Sequence, residues 1–157
     1  MSAVADRTTR LLRLAAGQLT AIVGMLHLWL GVRQWVRYAI GGIYVPPDVR
    51  VPLWTFSGLV LLVGVAIVSL EEISDRRVYA AGAALSLTYI LGYYSWHLGG
   101  HLSFYLGVGD PNLHGTDLTQ FVLDHTFAGP IEFFALLTEA ALLVALVTLL
   151  RRSAPDQ

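Results

Sequence analysis

The sequence contains no cysteine and no lysine, and charged residues make up only 13% of it. Without cysteine there are no disulfides, no thiolate metal sites, no cysteine-held iron–sulfur clusters and no thiol catalysis. With lysine missing, every basic side chain is one of ten arginines, and the formal net charge is −1. No basic stretch is long enough to act as a nucleic-acid footprint. Internal repeats and low-complexity stretches are also missing, and the 157 residues read as a single domain spanning 1–157.

What the chain has in abundance is apolar surface. Hydrophobic residues reach 55% and the mean hydropathy is +0.62, well above a typical soluble domain. A water-soluble chain of this size cannot hide so much of it, so part of that surface must face lipid.

Four stretches supply the ~20 apolar residues that cross a hydrocarbon core. They are about 11–32, 51–70, 78–101 and 130–150. In the first, Arg13 snorkels to the interface. Its apolar run exceeds the ~7–15 residues of a signal sequence, and Arg33-Gln34-Trp35 lacks a cleavage pattern, so it is expected to be retained. In the second, Pro52 fits a first helical turn. The fourth opens at Pro130 and stops at Arg151-Arg152.

The connections differ. RQWVRYAIGGIYVPPDVR after the first span reads as a loop or short interfacial segment, and EEISDRR as a tight polar hairpin. In the longest connection, Asp110-Pro111-Asn112 and His114-Gly115-Thr116-Asp117 mark turns. A short interfacial helix is expected over 118–126, capped by Asp117.

Arginine placement predicts orientation. Arg7, Arg10, Arg13, Arg76, Arg77, Arg151 and Arg152 collect on one side, against Arg33, Arg37 and Arg50 on the other. The expectation is an all-α, multi-pass bundle of four transmembrane helices in the cell membrane, with both termini cytoplasmic. Trp29, Trp35, Trp54, Trp96, Tyr44 and Tyr105 then form an aromatic belt at the outer boundary.

All five histidines fall toward that outer side. His97-Leu-Gly-Gly-His101 is the sharpest pattern: on a continuous helix the i, i+4 spacing stacks two imidazoles on one face. The same step backwards makes a stripe of Tyr89, Tyr93, His97 and His101. Two cofactor readings follow. Haem b would sit between His27 and either His97 or His101. A divalent transition metal (zinc, copper or iron) would use His97 and His101 with His125 or Asp124. His114, in a turn, reads as a solvated residue.

Carboxylates inside spans are costly. Glu132, in the first turn of the fourth span, meets the positive end of the helix dipole. Glu139 has no such support. It lies about 12 residues from Arg151, roughly 18 Å deep, where a charge costs at least about 2.5 kcal/mol. It must face the interior, with Tyr89 and Tyr93 as polar neighbours and Gln18 deeper. Arg33 and Arg37 read as snorkelling anchors, and Gly58 and Gly64 as points of close helix packing.

Three functions are compatible with these residues. One is a haem- or metal-binding membrane protein using the histidines. A second is a non-enzymatic subunit of a membrane complex, or a small transporter, built around Glu139. The third is a membrane enzyme on a lipid or isoprenoid with Glu132, Glu139 or histidines as acid and base. Apart from the bilayer, the expected partners are membrane subunits or further copies of the chain, and no nucleic acid.

Overall fold

A computed structural model describes residues 3–71, 76–101 and 115–153. All regular structure among them is α-helical: α1 (Ala3–Ile40), α2 (Arg50–Glu71), α3 (Arg76–Leu98), α4 (Leu118–Thr126) and α5 (Pro130–Arg152). The turns expected at 72–75 and 110–114, with Tyr105 and His114, lie outside the described residues.

Three helices are long and apolar enough to cross a membrane: α1 from Arg7, α2 and α5. Their apolar side chains point outward. Leu53, Phe56, Val60 and Val63 on α2, and Leu137 and Val144 on α5, are all exposed, the placement expected where the surroundings are hydrocarbon. Helix α3 matches α5 in length at 23 residues but is less apolar, carrying Tyr89, Tyr93, Tyr94, Trp96 and His97 in its second half.

The first helix corrects the sequence reading. Arg33-Gln34-Trp35-Val36-Arg37 was expected to begin a loop, yet α1 continues to Ile40 and reaches 38 residues. At ~1.5 Å per residue that is about 57 Å, longer than a whole bilayer of ~40–45 Å with its headgroups. None of these five residues breaks a helix. The break comes at Gly41-Gly42, where Gly42 adopts φ +77°, a region that disfavours side chains.

Helix α1 packs against α2 and α5, and α3 and α4 pack against α5. The α1–α2 contact is close because glycines face it. A Cβ on Gly58 would come within 2.6 Å of the Leu28 nitrogen and 2.7 Å of the Gly24 carbonyl oxygen, and one on Gly31 would collide with Thr55. Gly58 is therefore a packing glycine, as small residues are in membrane interfaces. Gly64 is not: nothing lies within 4 Å of its added Cβ.

One end of the bundle, here called the inner end, gathers the start of α1 and the end of α5, where Arg152 donates to Thr9. Its core joins Ala16, Val23, Leu61, Tyr79, Ala83, Leu142 and Leu146. At the outer end Arg50 forms a two-pronged ion pair with Asp48 (Nη2–Oδ2 2.7 Å, Nε–Oδ1 3.0 Å). Its guanidinium also lies over Trp54 of α2 and, at 4.2 Å, over Trp96 of α3, a cation–π bridge between two helices that share few other contacts.

Candidate functional site

Two polar centres occupy the interior, at different levels. The deeper one joins α1, α3 and α5. His27 Nε2 lies 3.3 Å from Glu139 Oε1, with both side chains only 5% exposed. The His27 ring stacks on Tyr89, with centroids 4.0 Å apart and planes within 17°. Val23 and His27 on α1, and Thr138, Glu139 and Leu142 on α5, are all buried, so the contact sits where these two helices press together.

The proton inventory of this centre can be worked out. His27 Nδ1 is 3.0 Å from the Val23 carbonyl oxygen. A carbonyl only accepts, so Nδ1 carries a hydrogen. The Nε2–Oε1 contact then accommodates one proton between its two atoms. With one proton on that contact the pair is imidazole with carboxylic acid or imidazolium with carboxylate, and its net charge is zero in both forms. This removes most of the penalty that a lone carboxylate would meet in the bilayer.

Tyr89 completes the centre. Its hydroxyl is buried and has Ser57 of α2 as its hydrogen-bonding neighbour, while Glu139 acts on it electrostatically. A buried hydroxyl needs such a polar partner.

The outer centre lies one to two turns further along α3. His97 is 4.7 Å from His125 and 5.3 Å from His101, ring centre to ring centre, with Tyr93 4.5 Å from His97. The Nδ1 of His97 donates to the Tyr93 carbonyl, and that of His125 to the Phe121 carbonyl, each at 2.8 Å. Helix α4 is held in place by two bonds from α3. Tyr93 donates to the His125 carbonyl at 2.8 Å. Thr126 spends its hydrogen on the Val122 carbonyl, so at 2.7 Å the Tyr94 hydroxyl must be the donor to it. Asp117 caps the start of α4 through the Gln120 nitrogen.

Several sequence expectations change here. Helix α3 stops at Leu98, and Gly100 (φ +56°) and His101 (φ +57°) turn the chain into the left-handed region. The His97–His101 pair is therefore not an i, i+4 helical pair, and the tyrosine–histidine stripe ends at His97. Asp124 points away on the exposed face of α4 and accepts from Gln120 Nε2. Among the described residues no group of three His, Cys, Asp or Glu side chains is arranged to hold a metal ion.

His27 is engaged at both nitrogens and on one face, at the level of Tyr89, whereas His97 is eight residues or ~12 Å further along α3. Of the expected polar set, Glu139 and Tyr89 share the deeper centre, while Tyr93 belongs to the outer one. The partner that sequence reasoning missed is His27.

No family model, curated protein or solved structure matches the chain.

Proposed function

We propose that this chain is a four-crossing cell-membrane protein that handles protons in its interior, as a small transporter or a non-enzymatic subunit of a larger membrane assembly. In this reading α3 is the fourth crossing and both termini are cytoplasmic. The carrying observation is the buried His27–Glu139 pair, with Nε2 3.3 Å from Oε1.

A proton arriving from the outer side would meet His97 and His125 first, then Tyr93 and Tyr89, spaced about one turn or ~6 Å apart on α3. At the pair, transfer from the Glu139 carboxyl to His27 Nε2 leaves carboxylate and imidazolium, and the reverse restores both neutral groups. Acid–base partners in hydrogen-bond range and shielded from bulk water are what such a relay requires.

The test is proton flux. Vesicles containing the purified protein and a trapped pH dye are given a step in external pH. Equilibration should be at least tenfold slower with folded Glu139→Gln than with wild type. Wild-type vesicles as tight as protein-free ones, or a Glu139→Gln variant as fast as wild type, would defeat the reading.

The outer histidines favour a second reading, a cofactor at that end of the bundle, because the His97 ring lies beside those of both His101 and His125. An absorption spectrum with elemental analysis of detergent-purified protein separates it from the first.

A further inference from the structure

Below the His27–Glu139 layer the inner halves of α2 and α3 diverge. They are bridged at the outer end through Arg50, but toward the inner end a cavity of about 1140 Å³ opens between them, with α1 and α5 as its floor. That exceeds the ~300–1,000 Å³ of an ordinary small-molecule pocket. Its walls are mostly aliphatic, with Val65 and Val68 of α2, Leu85 of α3 and Leu146 of α5 among them. At its mouth stand Arg10 and Arg13, both exposed.

The cavity matches one leaflet in depth. Its α1 wall runs from Arg10 to Ala21, ~16 Å along the axis, about half of a ~30 Å hydrocarbon core. Two of its glycines have open space where a side chain would begin: nothing lies within 4 Å of a Cβ on Gly17 or Gly64. The bundle is thus unfilled here rather than tightly apposed, in contrast to Gly58.

We infer that this cleft holds one anionic phospholipid, its acyl chains between α2 and α3 and its phosphate at Arg10 and Arg13. Charge complementarity selects this occupant. A second helix needs no guanidinium pair at one end of an apolar seat, whereas a leaflet lipid presents an anion at that depth above hydrocarbon. Guanidinium is well matched to phosphate through its fork of donors. The inference is independent of the proton-handling reading.

Native mass spectrometry of the detergent-solubilised chain, titrated with dioleoyl phosphatidylglycerol or dioleoyl phosphatidylcholine, tests it. Wild type should retain one phosphatidylglycerol in preference to phosphatidylcholine. Each arginine near an anionic surface corresponds to about fivefold in affinity, so Arg10→Gln with Arg13→Gln should remove most of that preference. Gly64→Phe, which projects a ring into the cleft from a position where nothing lies within 4 Å of the first added carbon, should sharply reduce retention of both lipids while the protein stays monodisperse. Equal retention of the two lipids by wild type, or undiminished retention by Gly64→Phe, overturns the inference. So does a wild-type dimer that Gly64→Phe converts to monomer, since a second copy of the chain would then be the occupant.

Discussion

The ring of Tyr89 lies flat on the imidazole of His27, bringing an α3 side chain onto an α1 side chain at the level where α5 contributes Glu139. Stacked aromatic pairs add about 0.5–1.5 kcal/mol beyond the area they bury. Tyr89→Leu should therefore lower thermal stability in detergent by at least that amount. Tyr89→Phe keeps the stack and removes only the hydroxyl beside Ser57, so it should lose less stability than Tyr89→Leu.

Glu139→Gln and Glu139→Leu should diverge. Glutamine retains a polar group facing His27 Nε2 and should fold with less than about 1 kcal/mol lost. Leucine strands a buried imidazole nitrogen, and breaking a buried pair from one side costs about 3–5 kcal/mol. Denaturation in mixed detergent micelles measures the difference, and equal losses would mean that the contact contributes nothing.

The glycines offer a steric contrast. Gly58→Val drives a branched side chain into the α1 backbone at Leu28 and Gly24 and should cost more than the ~1–3 kcal/mol typical of overpacking. Gly64→Ala should be neutral or slightly stabilising, since helical alanine replaces glycine in open space. Thermal melts of the two variants side by side check both statements.

Asp48 supplies a pH dependence outside the spanning segments. Burial raises its carboxyl, but the hydrogen bonds and charge of Arg50 together outweigh this and hold it below its ordinary value of 3.8. A carboxyl held low in the folded state contributes stability that is full above its unfolded value and fades as pH falls through the folded one. Asp48 and Arg50 are partly exposed, so solvent screening limits the effect to about 1 kcal/mol or less. Asp48→Asn should show this loss at pH 7 and converge on wild type below pH 3.

Tyr93→Phe removes the bond that ties α3 to the carbonyl of His125. The loss should be about 0.5–1.5 kcal/mol and local, seen as faster hydrogen exchange in α4 with α5 unchanged.

Much of the helical layout is visible in the residues. The run VPLWTFSGLVLLVGVAIVSL coincides with α2, and Pro130 and Arg151-Arg152 bracket α5, because apolar runs and their polar stops act locally. The length of α1 was hidden for a physical reason. Hydrophobicity reports where lipid lies, whereas a helix continues through Arg33 and Arg37 until Gly41-Gly42 ends it. The His101 turn was signalled by Gly99-Gly100, but the attraction of an i, i+4 histidine pair favoured a continuous helix there.

The meeting of His27 with Glu139 was not legible. Each depth was counted from a different helix end, and an error of one turn is ~5.4 Å, enough to place two contacting residues in different layers. Which face each helix turns to its neighbour is set by contacts such as Gly24–Gly58, which no spacing rule within one helix reports.

A final consequence concerns the membrane voltage. In the proposed proton exchange, moving a proton from Glu139 to His27 shifts one elementary charge by at most the 3.3 Å that separates the two atoms. Against a ~30 Å core that is about a tenth of the field, so a potential of 100 mV biases the exchange by no more than about 0.25 kcal/mol. The electric gradient alone is too weak a lever to drive the proposed exchange. What decides on which atom the proton rests is the local company it keeps, namely the polarity of Tyr89, the tightness of the α1–α5 seam and the occupancy of the layers above and below.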